Sequence, residues 1–195
     1  MIFHEDLDFN QFIGCHTILY GETNTKKTYY TAIFVQFLVE SKQIDPNDIS
    51  ILDFAPKLNI IKGLKIGGKI EDFYAQSIKC HNIIFEGEII PPRLKAHNKK
   101  ELYQFASMNY EKTHKCLEKF NENPTPFLII NDISIYLHLG NKKYLLNSIK
   151  RESTFFGNSY YGSSIKRNFA LFFSLKEKRS VRYLLKRVDK TYITN

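Results

Sequence analysis

Gly21-Glu22-Thr23-Asn24-Thr25-Lys26-Lys27-Thr28 follows the apolar run Thr17-Ile18-Leu19-Tyr20. It leads into Tyr30, Ile33, Phe34, Phe37 and Leu38, which share one face at helical spacing. The order is strand, polar loop, helix. The first N–H groups of a helix have no partner within it, and the helix dipole makes that end positive. A loop curling over such an end can wrap a phosphate chain in N–H donors. Lys27 could then reach the outer phosphates, and the Thr28 hydroxyl could bind a magnesium ion. An ordinary basic loop between a strand and a helix is the alternative reading.

This stretch resembles the Walker A motif of the P-loop NTPases, Gly-x4-Gly-Lys-Ser/Thr. One position departs from it: Lys26 stands where the second glycine would let the backbone approach the phosphates without a Cβ in the way. The resemblance implies a nucleotide site made of Gly21, Glu22, Thr23, Asn24, Thr25, Lys26, Lys27, Thr28 and Tyr29. Lys27 would also be its catalytic cation, and Lys26 could add a second positive charge.

A second segment strengthens the likeness. Phe127-Leu128-Ile129-Ile130-Asn131-Asp132 is a continuous apolar run, as expected of a strand covered on both faces. It ends in an aspartate and so resembles a Walker B strand. The resemblance implies that Thr28 and Asp132 hold Mg2+. A carboxylate at the end of another strand would then be the base that orients water, and Asp53, Glu86 and Glu88 are the candidates. Each also reads as a turn, cap or solvated carboxylate.

Around these motifs the chain reads as α/β. Strands are expected at 16–20, 49–54, 82–86, 127–132 and 169–174, with an edge strand near Tyr192-Ile193. Helices are expected from the loop to about Ser41, over 99–121, over 141–152 and near 181–188. Gly67-Gly68-Lys69 reads as part of a surface hairpin. The Ser/Tyr-rich segment 158–164, flanked by Lys150, Arg151, Lys166 and Arg167, reads as a mobile loop that could stack bases. Ser174, at the polar end of its expected strand, could sit beside the phosphates as a sensor. The basic residues from Lys178 to Arg187 suit a solvated helix, a polyanion-binding helix or an arginine-finger donor. Alternating strands and helices imply a mostly parallel sheet of about five strands flanked by helices, the three-layer P-loop NTPase fold, in one domain over residues 1–195.

Composition sets the outer limits. The 195 residues carry 16 Phe and 12 Tyr, enough for a sizeable core. The net charge of +8 suits polyanions. Cys15, Cys80 and Cys116 have no paired spacing, which argues against a disulfide framework and a zinc site. His97 and His114 also lack metal-like spacing. The amino terminus, with His4, Glu5, Asp6 and Asp8, does not read as a signal peptide, and no run is long enough for a membrane span. A cytoplasmic location is expected.

The leading expectation is a protein that binds ATP or another NTP with Mg2+ and hydrolyses it slowly or with a partner's help. A degenerate P-loop module without turnover, or one that binds nucleic acid, is the alternative. The spacing is also similar to P-loop adenosyltransferases that act on cob(I)alamin, although no residue pattern here selects a corrinoid. Candidate partners are a nucleotide, a nucleic acid or other polyanion, and a second copy of the chain.

Overall fold

The structure is a computed structural model that describes residues 8–61, 63–165 and 168–194. The acidic lead-in at His4, Glu5 and Asp6 and the flanking cations Lys166 and Arg167 lie outside the described residues. Strand β1 (His16–Gly21) feeds the polar loop and helix α1 (Lys27–Gln36), which ends in a wider helical turn over Phe37–Ser41. Next come β2 (Ile49–Asp53), a hairpin of β3 (Asn59–Ile61) and β4 (Leu64–Ile66), and the short β5 (His81–Asn82). Helices α2 (Pro92–Lys95) and α3 (Lys99–Glu122) precede β6 (Phe127–Asn131). Helices α4 (Ile133–Leu137) and α5 (Lys142–Ile149) lead to β7 (Thr154–Tyr160), and α6 (Leu171–Leu185) leads to β8 (Lys190–Thr194).

Six strands form one sheet in the order β5-β2-β6-β7-β1-β8. Every pairing in it is parallel. Alternate residues of each strand serve opposite faces, as the period of two requires. Ile18, Leu52, Leu128, Ile130 and Phe155 join a core with α3, α4, α5 and α6. Leu19, Ile51, Phe127, Ile129 and Phe156 join a second core with Phe12 and α1. Apolar cores on both faces make three layers, so the expected α/β class holds. The strand between the loop strand β1 and the Asp132 strand β6 is β7.

That inserted strand is where the sequence reading needs correction. Residues 154–160 are a fully buried strand, not part of a mobile loop. Gly157, Asn158 and Ser159 resemble turn signals. Here the glycine is a packing residue, because a Cβ on it would press on Phe155, the Ile130 carbonyl and Ile133. The expected strand at 169–174 is instead the start of α6. Its apolar run is not covered on both sides: Leu171 and Phe172 are 59% and 79% exposed. Its buried residues, Phe173, Glu177, Ser180, Val181 and Leu184, follow the helical period. Strand β5 stops at Asn82, so Glu86 and Glu88 do not stand at a strand end.

Candidate functional site

The carboxyl ends of β1, β7, β6 and β2 lie side by side and open into a cavity of about 590 Å3. Open parallel sheets gather ligands at such ends. The loop after β1 turns through two left-handed residues, Asn24 (φ 58°) and Lys26 (φ 56°). Lys26 caps α1 in that conformation and thereby adopts the backbone that a glycine would take there. A side-chain residue in this region costs roughly 1–2 kcal/mol. Gly21 is required for another reason: a Cβ would collide with the backbone and hydroxyl of Thr194 on β8.

Lys27 lies at the first turn of α1 and lines the cavity. Its ammonium folds back to donate to the Glu22 carbonyl and to Thr25 Oγ1 (3.1 Å). Burial brings its pKa down to about 8, against the pull of Asp132 and Glu22. The Glu22 carboxylate accepts from the backbone and hydroxyls of Ser163 and Ser164. Burial opposes its charge, but these hydrogen bonds hold it down to about 2. Glu22 therefore ties the loop to the segment after β7, and a Cβ on Gly162 would run into that carboxylate.

The next residue, Thr28, donates through Oγ1 to Asn131 Oδ1 (3.1 Å), the last residue of β6. Asn158 Nδ2 donates to the same oxygen (2.8 Å), and its Oδ1 accepts from the Asp132 amide (3.2 Å). Asp132 takes a left-handed turn at φ 59° to start α4, and Ser134 Oγ donates to its carboxylate (2.6 Å). Burial raises the Asp132 pKa, opposed by the Ser134 hydrogen bond and the Lys27 charge. Lys27, Thr28 and Asp132 all line the cavity. Thr28 and Asp132 offer hard oxygen donors of the kind magnesium takes beside phosphates.

The three carboxylates expected as the base are not among the lining residues. Asp53 accepts from the Ala55 amide (3.2 Å), the Ile70 amide (2.7 Å) and Asn131 Nδ2 (2.8 Å). Its pKa is raised by burial, with Lys69 opposing. It therefore braces the hairpin region against β6. Glu88 is a surface residue paired with Lys57 at 2.9 Å, and Glu86 is exposed on the coil beyond β5. Among the described residues, Asp132 is the one carboxylate lining the cavity.

No family model matches the chain, and no curated protein does. Among solved structures, a similar chain belongs to a structure of Drosophila ORC bound to GC-rich DNA and Cdc6, with 15% identity and a TM-score of 0.26. The match covers 88% of this chain and 52% of that one, so this chain spans about half the length of its neighbour. A likeness that faint fixes neither fold nor function.

The structure adds a charged cluster that the sequence did not disclose. Arg93, on α2, forms a two-pronged pair with Glu177 on α6 (2.8 and 3.1 Å). It also donates to Ser174 Oγ (3.3 Å) and lies 5.0 Å from the centre of the Tyr160 ring. Ser174 is thus a helix residue holding Arg93, not a strand-end sensor. His138 approaches Glu177 at 3.7 Å, and neither of its ring nitrogens has a hydrogen-bond partner among the described residues. Burial pushes the Glu177 pKa up to about 7 and that of His138 well below its usual value. Arg93 and His138 line the cavity, with Glu177 behind them. One signal was available: Glu177 occupies an apolar-stripe position between Phe173 and Val181. Arg93 and His138 carry no comparable mark in the sequence.

Proposed function

We propose that this chain, acting as one domain, binds a nucleoside triphosphate with magnesium in the cavity above β1, β7 and β6. The observation that carries the reading is the convergence of Lys27, Thr28 and Asp132 there, behind a loop whose left-handed turn at Lys26 supplies the missing glycine's backbone. Backbone N–H groups of the loop and α1 would hold the phosphates, with Lys27 on the outer ones. Thr28 and Asp132 would hold the metal, which would neutralise phosphate charge when bound. The donor chemistry fits: a partly buried carboxylate beside a hydroxyl, with phosphates to complete the shell.

Turnover is expected to be slow without a partner. No second carboxylate lines the cavity among the described residues to orient an attacking water. The deciding experiment is calorimetric titration with ATP, with and without magnesium. Magnesium-dependent binding that Lys27→Ala and Asp132→Ala each weaken at least tenfold supports the reading. Unchanged affinity in Lys27→Ala overturns it.

A second reading, nucleic-acid binding, is favoured by the outer face of α6. Phe172 is 79% exposed, and with Leu175, Lys176 and Arg179 it borders a hollow that Lys142 also lines. An uncovered aromatic among cations suits a stacked base with neighbouring phosphates. Single-stranded DNA should bind here with a steep salt dependence. Loss of affinity in Phe172→Ala, with ATP binding intact, would support it.

A further inference from the structure

The cavity is larger than a phosphate site. Lys27, Asp132, Arg93 and His138 supply part of its lining. The hairpin after β2 and its flanks supply Pro56, Leu58, Lys65, Ile66 and Phe73, and α1 adds Tyr29. Three of these are large apolar side chains left open to solvent: Tyr29 is 39% exposed, Leu58 48% and Phe73 42%. Scattered exposed apolar groups are ordinary, but several lining one recess mark a ligand surface. Tyr29 meets Phe73 edge-on, with ring centres 6.0 Å apart and planes at 79°.

This recess is held in a fixed shape. The β3–β4 hairpin returns through Gly67 and Gly68, both with positive φ. A Cβ at Gly67 would strike the carbonyls of Pro56 and Lys57. The Gly68 amide donates to the Pro56 carbonyl (3.0 Å), and its own carbonyl accepts from Asn131 Nδ2 (3.0 Å). Asp53 joins the Ile70 amide to the same Asn131. The hairpin's base is therefore wired to the residue that accepts from Thr28.

We infer that the hairpin-side recess binds a flat, uncharged ring next to the phosphate site, held by its faces against Phe73, Tyr29 and Leu58. This rests on the nucleotide reading above. The ring is either the base of the bound nucleotide or part of a second small molecule placed beyond the outer phosphate. Among the described residues, the one carboxylate lining the cavity is Asp132, at the phosphate site. A ring held by its faces is recognised by its area, and adenine and guanine bind alike.

Four quantities test this: the affinities of Mg-tripolyphosphate, MgATP and MgGTP, and the binding of adenine to protein saturated with MgATP. Each is measured on the unmodified chain, Phe73→Ala, Leu58→Ala and the control Ile60→Ala. Ile60 is on the same hairpin, 72% exposed, and outside the cavity lining. If the ring is the nucleotide's own, ATP binds at least tenfold tighter than tripolyphosphate, and GTP lies within about threefold of ATP. Phe73→Ala and Leu58→Ala then remove most of that gap while tripolyphosphate affinity stays constant. If the ring belongs to a second molecule, ATP and tripolyphosphate bind alike. Adenine then binds alongside ATP, and only the recess variants lose it. The inference is overturned if neither pattern appears, or if Ile60→Ala has the same effect as Phe73→Ala. Failure of tripolyphosphate to bind would instead remove the phosphate-site reading, and adenine binding alone would still report on the recess.

Discussion

The Thr28 hydroxyl donates to the side-chain oxygen of Asn131 at 3.1 Å, one residue before Asp132. This hydrogen bond fastens the start of α1 to the end of β6, and Asn131 extends it in three directions. Its amide donates to Asp53 and to the Gly68 carbonyl, and its oxygen also accepts from Asn158. Loop, Asp132, inserted strand and hairpin therefore share one buried side chain.

Replacing Asn131 with Ala should leave Asp53, Asn158 and the Gly68 carbonyl short of partners. Each buried loss of this kind costs about 1–3 kcal/mol. Partial relaxation brings the expected total to about 3 kcal/mol, read from urea unfolding midpoints. Asp53→Asn should cost less, because an amide oxygen can still accept from Ile70. Equal losses in the two variants would mean that Asn131 is not the hub.

Lys26→Gly should stabilise the chain. The left-handed strain of roughly 1–2 kcal/mol disappears, offset in part by the greater freedom of glycine in the unfolded state. A net gain of about 0.5–1 kcal/mol corresponds to a rise in Tm of about 2 °C for a chain of this length. Lys26→Ala keeps the strain and should give no gain. If Ala and Gly act alike, the Lys26 side chain rather than its backbone sets the stability.

The Glu177–His138 contact should hide two opposing pH dependences. Glu177 titrates at about 7 in the folded chain and near 4.5 when unfolded. As pH falls from 7 toward 4.5, the folded state gains a proton that the unfolded state lacks, and stability rises. His138 stays neutral when folded but takes a proton near 6.5 when unfolded, so stability falls as pH drops below that value. Each slope is at most about 1.4 kcal/mol per pH unit, and from about 4.5 to 6.5 they oppose each other. Relative to the unmodified chain, Glu177→Gln should therefore lose stability on acidification. His138→Gln should gain it. Urea unfolding at pH 5, 6 and 7 separates the two, and parallel curves for all three proteins would refute the pairing.

The sheet was legible where pattern and packing agree. Residues 127–130 are apolar because both faces are covered, and Gly21 to Thr28 joins a strand to a helix. Strand β7 was not legible, because Gly157 serves close packing and Asn158 serves the hydrogen bonds beside Asp132. Those demands produce the composition of a turn. The error at 169–174 has the opposite cause. A short apolar run does not distinguish strand from helix, and Phe172 is apolar yet exposed. At the candidate site, the Walker-like segments named Lys27, Thr28 and Asp132, and these three line one cavity. Arg93, His138 and Glu177 come from separate elements, and only the fold brings them together.

Lys27 gives the nucleotide reading a pH signature. In the free protein, burial lowers its pKa to about 8, and the ammonium rests on the Glu22 carbonyl and Thr25. Phosphates beside it favour the charged form, so the pKa rises on binding. Above pH 8 the free protein must then take up a proton to bind, and apparent affinity falls as pH rises. From pH 7.5 to pH 9 the loss should be about eightfold, from the change in the protonated fraction of Lys27. Calorimetry in two buffers of different ionisation enthalpy reads the uptake directly, approaching one proton per nucleotide at pH 9. Lys27→Arg keeps its charge throughout this range and should show neither the uptake nor the decline. A decline that survives in Lys27→Arg would assign the proton to another group and leave Lys27 without its place on the outer phosphates.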